Sequence, residues 1–206
     1  MAGAFPISNS KFSTMGIRSS QNTLLSKSIS GKKLARQIDN QRFSFTAQII
    51  TSTRSHVYGE LMAFIMKQRS SKEDFTIIPP EIEDARGNET NVVLVNGAHS
   101  AGDTTIAMDN HHNDNPHAFK AGDFIKFASH TKVYMIVADV QASSGASTVT
   151  IEPPLHQAVA DDSIVTYDNV PFTVHLLNDA QEFGAVGADK DGAVLYKFEL
   201  DVEETL

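Results

Sequence analysis

Val194-Leu195-Tyr196-Lys197-Phe198-Glu199-Leu200-Asp201-Val202 is the most regular stretch of the chain. Val194, Tyr196, Phe198, Leu200 and Val202 fall on one side, and Leu195, Lys197, Glu199 and Asp201 on the other. That two-residue period belongs to a strand with one buried face. Phe43, Phe45, Ala47 and Ile49 alternate with Ser44, Thr46 and Gln48 in the same way, and Phe172, Val174 and Leu176 mark a third strand over Pro171–Leu177.

Between the second and third of these strands the period changes. After Thr51-Ser52-Thr53, a plausible cap, Val57, Leu61, Phe64, Ile65 and Gln68 recur at helical spacing, with Met62 and Met66 widening the apolar face. One helix is therefore expected over about 54–69. Gly59 inside it costs roughly 1 kcal/mol relative to Ala, which tertiary packing must offset. A short strand over Phe75–Ile78 ends at Pro79-Pro80, where fixed φ and missing N–H groups stop a central strand. From there the pattern is short strands and turns: Val92–Val95, Thr104–Met108, Phe124–Ala128, Val133–Ala138, Thr148–Ile151 and Ile164–Tyr167. Such spacing predicts a small barrel or sandwich. The economical topology is mainly β. A β-sandwich with one helix, built from residues 1–80 and 171–206, is interrupted by an inserted small OB-like or SH3-like β-barrel at 81–170.

Composition narrows function by exclusion. The 206 residues contain no cysteine, which removes disulfides, thiolate metal sites and cysteine nucleophiles. No run of eighteen apolar residues occurs, so no helical membrane span or secretory signal is expected. Charge is unevenly spread. Up to Lys72 there are eleven Lys and Arg against Asp39 and Glu60; beyond it, six bases face twenty-three acids. The basic portion lacks the aromatic interleaving of a single-strand platform, and the acidic remainder would repel phosphate, so specific nucleic-acid binding is not expected. Docking of copies fits better. The first thirty-eight residues are acid-free and Ser-rich, and suggest an extended arm, from Met1 onward, held by the body or by neighbouring chains. Its candidate interface residues are Phe5, Ile7, Phe12, Ile17, Leu24, Leu25 and Ile29 as apolar anchors, with Lys32, Lys33 and Arg36 steering orientation.

Motifs that could carry chemistry are few. Ala98-His99-Ser100-Ala101-Gly102 fits a small-x-Ser-x-Gly variant of the nucleophile elbow. An elbow needs a helix next, and the β-prone Asp103-Thr104-Thr105-Ile106 follows, so a Gly-containing hairpin is expected instead. His111, His112 and His117 lie in an Asn/Asp/Pro-rich segment that reads as a solvated loop and not as a metal site. His56, His99, His130, His156 and His175 have no carboxylate at telling distance in sequence. Glu81/Glu83 and Glu203/Glu204 read as solubilising charges, and no phosphate-cradling Gly-rich motif occurs. Neither a cofactor nor catalysis is expected; the surface is for contact.

One resemblance covers nearly the whole chain. Ser28-Ile29-Ser30-Gly31-Lys32-Lys33, Gln41-Arg42-Phe43-Ser44-Phe45, the helix ending Ala63-Phe64-Ile65-Met66-Lys67-Gln68-Arg69, and Phe75-Thr76-Ile77-Ile78-Pro79-Pro80 follow in order. This succession resembles the amino-terminal half of the distal tail proteins of long-tailed bacteriophages. Lys120-Ala121-Gly122-Asp123-Phe124-Ile125-Lys126-Phe127, with Thr150-Ile151-Glu152-Pro153-Pro154-Leu155, resembles the small barrel that some of them carry. The resemblance implies a structural virion protein, a homohexameric ring at the distal end of the tail that joins the tail tube protein to a tip, hub or baseplate protein. It further implies assembly in the bacterial host cytoplasm, and an inserted domain facing outward or toward the tip. The alternatives are a binding module that docks fibres or host-surface glycans through the barrel, or another tail ring such as a tube or hub component.

Overall fold

The computed structural model describes residues 3–8, 11–38 and 40–206; the expectation for Met1 lies outside them. The chain is mainly β with one helical segment of 14 residues, and a nearly closed six-strand barrel-like sheet accompanies the main sheet. This is the class that the alternating periodicity predicts.

The main sheet is antiparallel and centres on β4 (Arg42–Thr53) and β14 (Val194–Glu204), paired so that Leu200 faces Ala47 and Val202 faces Phe45. The far edge of β14 is shared. β13 (Gly184–Ala188) pairs with its start, and β12 (Phe172–Leu176) with its end. β5 (Phe75–Ile77) adds to β12, with Phe172 opposite Ile77, and β1 (Phe12–Ser20) covers the open edge of β4. Alternation turns Phe43, Phe45, Ala47 and Ile49 inward beside Phe198, Leu200 and Val202, all buried in one apolar cluster. Burying each large side chain contributes about 1.5–3 kcal/mol relative to leaving it in water.

The helical segment completes that cluster. It opens as a π-helical turn over Arg54–Tyr58 and continues as α1 (Gly59–Lys67), burying Val57, Tyr58, Leu61 and Ile65. Two expectations fail here. Thr53 makes no capping hydrogen bond, because Thr51–Thr53 still belong to β4 and Thr53 Oγ1 meets Ser55 Oγ instead. Met66 is exposed, because α1 packs through Leu61 and Ile65 and Met66 lies about 100° round the helix from Ile65. Gly59 has a reason the periodicity could not show: a Cβ there would lie 2.8 Å from the Arg54 carbonyl oxygen.

Between β5 and β12 the second sheet runs β11 (Val165–Thr166), β8 (Phe124–Phe127), β9 (Val133–Ile136), β10 (Ser147–Glu152), β7 (Thr105–Asp109) and β6 (Leu94–Val95). Bonds Val95 N–H to Ser163 O and Val165 N–H to Val93 O bring its two ends together. Phe119, Phe127, Tyr134, Ile106 and Ile151 fill its interior. The strands before and after this sheet meet in a neck, where Val170 N–H bonds to Glu83 O and Ala85 N–H to Tyr167 O.

The arm is less free than its composition suggests. Most of it is β1 in the main sheet and a separate hairpin, β2 (Thr23–Lys27) with β3 (Lys33–Gln37). Phe5 N–H also bonds to Thr76 O, tying the chain start to β5.

Candidate assembly surfaces

Hairpin β2–β3 is exposed along both faces. Ser28 N–H reaches Lys32 O across its tip, and Gly31, at φ 81, takes the left-handed turn position that side chains other than glycine's resist. Leu24 and Leu25 are each 59% exposed, Leu34 and Ile38 more than half, and Ile29 at the tip fully so. Lys32, Lys33 and Arg36 are exposed among them, and Ile17 on β1 is 44% exposed. A lone two-stranded hairpin is marginal in water, and one with five aliphatic side chains in solvent is a contact surface without its contact.

The structure therefore divides the predicted interface set. Ile17, Leu24, Leu25, Ile29, Lys32, Lys33 and Arg36 face outward. Phe5, Ile7 and Phe12 instead pack on the chain's own core: Phe5 stacks on Phe12 at 5.9 Å and Phe75 at 6.0 Å, and meets Phe64 edge-on at 5.6 Å. They hold β1 in place.

The outer face of β14 has the opposite charge. Glu199, Asp201 and Glu203 alternate with the buried row. Thr46 Oγ1 donates to Asp201 at 2.8 Å, and Glu182, Asn178 and Lys197 line an adjoining groove of about 590 Å³ with Glu199 and Gln48, so the acids there outnumber a single cation.

Glu204 is a correction. The alternation that buries Val202 carries Glu204 inward as well, fully buried and not solubilising. Its partner is Lys132, the residue before β9, at 2.5 Å, and Lys132 is 1% exposed. Glu204 also accepts Val133 N–H at 2.8 Å and Phe43 N–H at 3.2 Å, while Lys132 Nζ lies 4.5 Å from the Phe43 ring centre. Burial pushes the Glu204 carboxyl up and the Lys132 ammonium down, and each partner's charge opposes the other's shift. Beside them Phe43, Phe124 and Phe172 pack edge to face, so the second sheet is locked on the first by a desolvated ion pair and an aromatic cluster. Alternation past Val202, with a lone basic residue just before an apolar β9, was the signal available.

The chemical motifs resolve as follows. Ser100 begins a turn, its N–H bonded to Asp103 Oδ2 at 2.9 Å, and strand β7 follows. His112 and His117 are exposed; His111 is not solvated but buried against Glu89. Among the described residues no three His, Asp or Glu side chains converge as metal ligands. His130 is buried and bonded to the Tyr134 hydroxyl at 2.8 Å, and burial lowers its pKa. Phe119, Phe124, Phe127, Tyr134 and Tyr167 of the second sheet are all buried, which leaves none of them free to stack on a sugar.

Residues 82–170, the neck and the barrel-like sheet, match the family model for the distal tail protein pb9, B domain. This match supports a phage distal tail protein family, and it rests on the inserted domain. No curated protein matches the chain. The family supports a structural role in a phage tail.

Proposed function

We propose that this distal tail protein forms a homohexameric ring that joins the tail tube to the tip or baseplate, each copy laying hairpin β2–β3 on the acidic outer face of β14 in the next. The exposed, cationic hairpin carries this reading: it needs a partner, and the chain itself offers a complementary one. Exposed ion pairs contribute only about 0–1 kcal/mol each and are screened over about 8 Å, so burial of Leu24, Leu25, Ile29 and Ile17 supplies most of the affinity and charge steers approach. Residues 1–80 with 171–206 act as the ring domain and 81–170 as an insert packed on it and facing outward or toward the tip. With its aromatic side chains buried, the insert docks a protein such as a fibre in preference to glycans. Assembly takes place in the host cytoplasm, with tube and hub proteins as neighbours, and the role is structural, without turnover.

Light scattering and negative-stain imaging of the full chain test the ring. Deleting residues 1–30 would also remove β1 and three core side chains, so the informative variant replaces 23–37 with a short turn. It should lower the oligomeric state while the fold persists. Lys32, Lys33 and Arg36 changed together to Glu should slow assembly more at low than at high salt. A full ring from the hairpin-less chain refutes the docking.

A further inference from the structure

A side-chain relay in the second sheet plays no part in assembly as proposed above. His111, in the loop after β7, is buried with its ring 5.6 Å from that of Phe119. Its Nδ1 lies 3.0 Å from Glu89 Oε2, and its Nε2 lies 2.7 Å from Oγ of Ser147, the first residue of β10. Glu89 is itself held: Oε1 accepts the N–H groups of Thr90 at 2.9 Å, Asn91 at 3.0 Å and His112 at 3.1 Å. Burial alone would raise this carboxyl, but those backbone donors and the His111 ring outweigh it and hold the group down at about 2.

Protonation states follow from the contacts. An ionised Glu89 only accepts, so His111 Nδ1 carries a hydrogen, and in the neutral ring Nε2 is the acceptor. The Ser147 hydroxyl fills it. Hydroxyl, imidazole and carboxylate stand in the order of nucleophile, base and orienting group, with both supporting side chains fully buried and Ser147 half-buried. Just before Ser147 the chain borders an open depression of about 530 Å³, lined by His111, Asn113, Gly145 and Ala146. The elbow-like Ser100 has no such support.

We infer that Ser147 is an acylation site, a nucleophilic serine that accepts the acyl group of an activated ester, with His111 as its base and Glu89 as the positioning residue. Ser147 Oγ bonds to the ester carbonyl carbon as His111 Nε2 takes the hydroxyl proton. The tetrahedral adduct then collapses with cleavage of the bond to the leaving oxygen, which receives that proton from His111. The products are a Ser147 ester and the free alcohol, with no change of oxidation state. A single transfer of this kind modifies a structural protein and requires no turnover.

The test uses the full chain with p-nitrophenyl acetate, following nitrophenolate release and mapping acetylated peptides by mass spectrometry; a fluorophosphonate probe serves as a second electrophile. The expected result is one equivalent of modification at Ser147, none on Ser147→Ala, and a rate about 100-fold lower on His111→Asn, the scale of a positioned general base. Ser147→Ala leaves every Glu89 contact intact but leaves His111 Nε2 short of a partner, so it should keep the fold while melting somewhat below the parent. Modification at Ser147 no greater than at Ser100, or unchanged in rate by His111→Asn, overturns the assignment: the relay then only braces the loop. Because the unaltered protein supplies the first of these readings, the outcome does not depend on whether any variant folds.

Discussion

Replacing Lys132 by Met should cost the protein about 3 kcal/mol, because it strands a desolvated carboxylate between the two sheets. Removing one partner of a buried ion pair costs roughly 3–5 kcal/mol, and the lower end applies because Val133 and Phe43 N–H groups still reach Glu204. Glu204→Leu strands more, the Lys132 ammonium and both N–H groups, and should cost about 5 kcal/mol. The double variant should cost less than the sum, with a coupling of a few kcal/mol in a double-mutant cycle. For a chain of this size 1 kcal/mol shifts Tm by about 2–4 °C, so Lys132→Met should melt about 6–12 °C lower. Urea and thermal denaturation by circular dichroism measure both. The pH dependence has a definite sign. Loss of Lys132 removes an influence that lowers the Glu204 pKa, so the folded value rises further above the unfolded one. A raised folded pKa favours the fold below the unfolded value and forfeits that benefit as pH climbs through the folded value, so Lys132→Met should be less damaging near pH 4 than near pH 8. Stability within about 0.5 kcal/mol of the parent, the range of ordinary surface changes, would refute the claim that this pair is desolvated and mutually satisfied.

Gly59→Ala, which in an ordinary helix interior gains up to about 1 kcal/mol, should instead cost about 1–3 kcal/mol in urea denaturation, because the new methyl meets the Arg54 carbonyl. Glu89, with its pKa lowered to about 2, stabilises the fold above the unfolded carboxyl value and ceases to as pH falls toward 2. Up to about 3 kcal/mol should vanish across that window, and Glu89→Gln should flatten the acid limb of the stability curve there. Among the loop histidines, His112→Asn and His117→Asn should melt as the parent does, while His111→Asn should cost about 1–3 kcal/mol by leaving Glu89 and Ser147 short of a partner.

How far the chain could be understood without coordinates depended on local regularity. β4, β12 and β14 announce themselves because one face is buried and the other wet, so side chains must alternate. The barrel strands were visible as short apolar runs between Gly-Asp turns, each within one or two residues of its observed bounds. β1, β2, β3 and β13 were not. They are edge or hairpin strands with little burial, and without burial there is no pattern to select. Of the candidate interface residues, Ile17, Leu24, Leu25, Ile29, Lys32, Lys33 and Arg36 are exposed as the arm's composition suggested. That Phe5, Ile7 and Phe12 turn inward depended on the contact with Thr76 of β5, roughly seventy residues away, which no local rule reports. Glu89, His111 and Ser147 are likewise far apart in sequence; His111 and Ser147 meet because β10 pairs with β7, with Ser147 opposite Met108.

Phe172 lies opposite Ile77 although roughly ninety residues separate them, a loop whose ends an unstructured chain would seldom bring together. The neck changes that arithmetic. Once Val170 is bonded to Glu83, the span left to close between the two strands is about ten residues, and the logarithmic dependence of closure entropy on length reduces the cost by about 2 kcal/mol. Closure entropy therefore favours an order in which the interior segment condenses before β5 and β12 zip beside β14. For a chain emerging from the ribosome the same order is natural, since β14 is made last and every strand it needs is by then waiting.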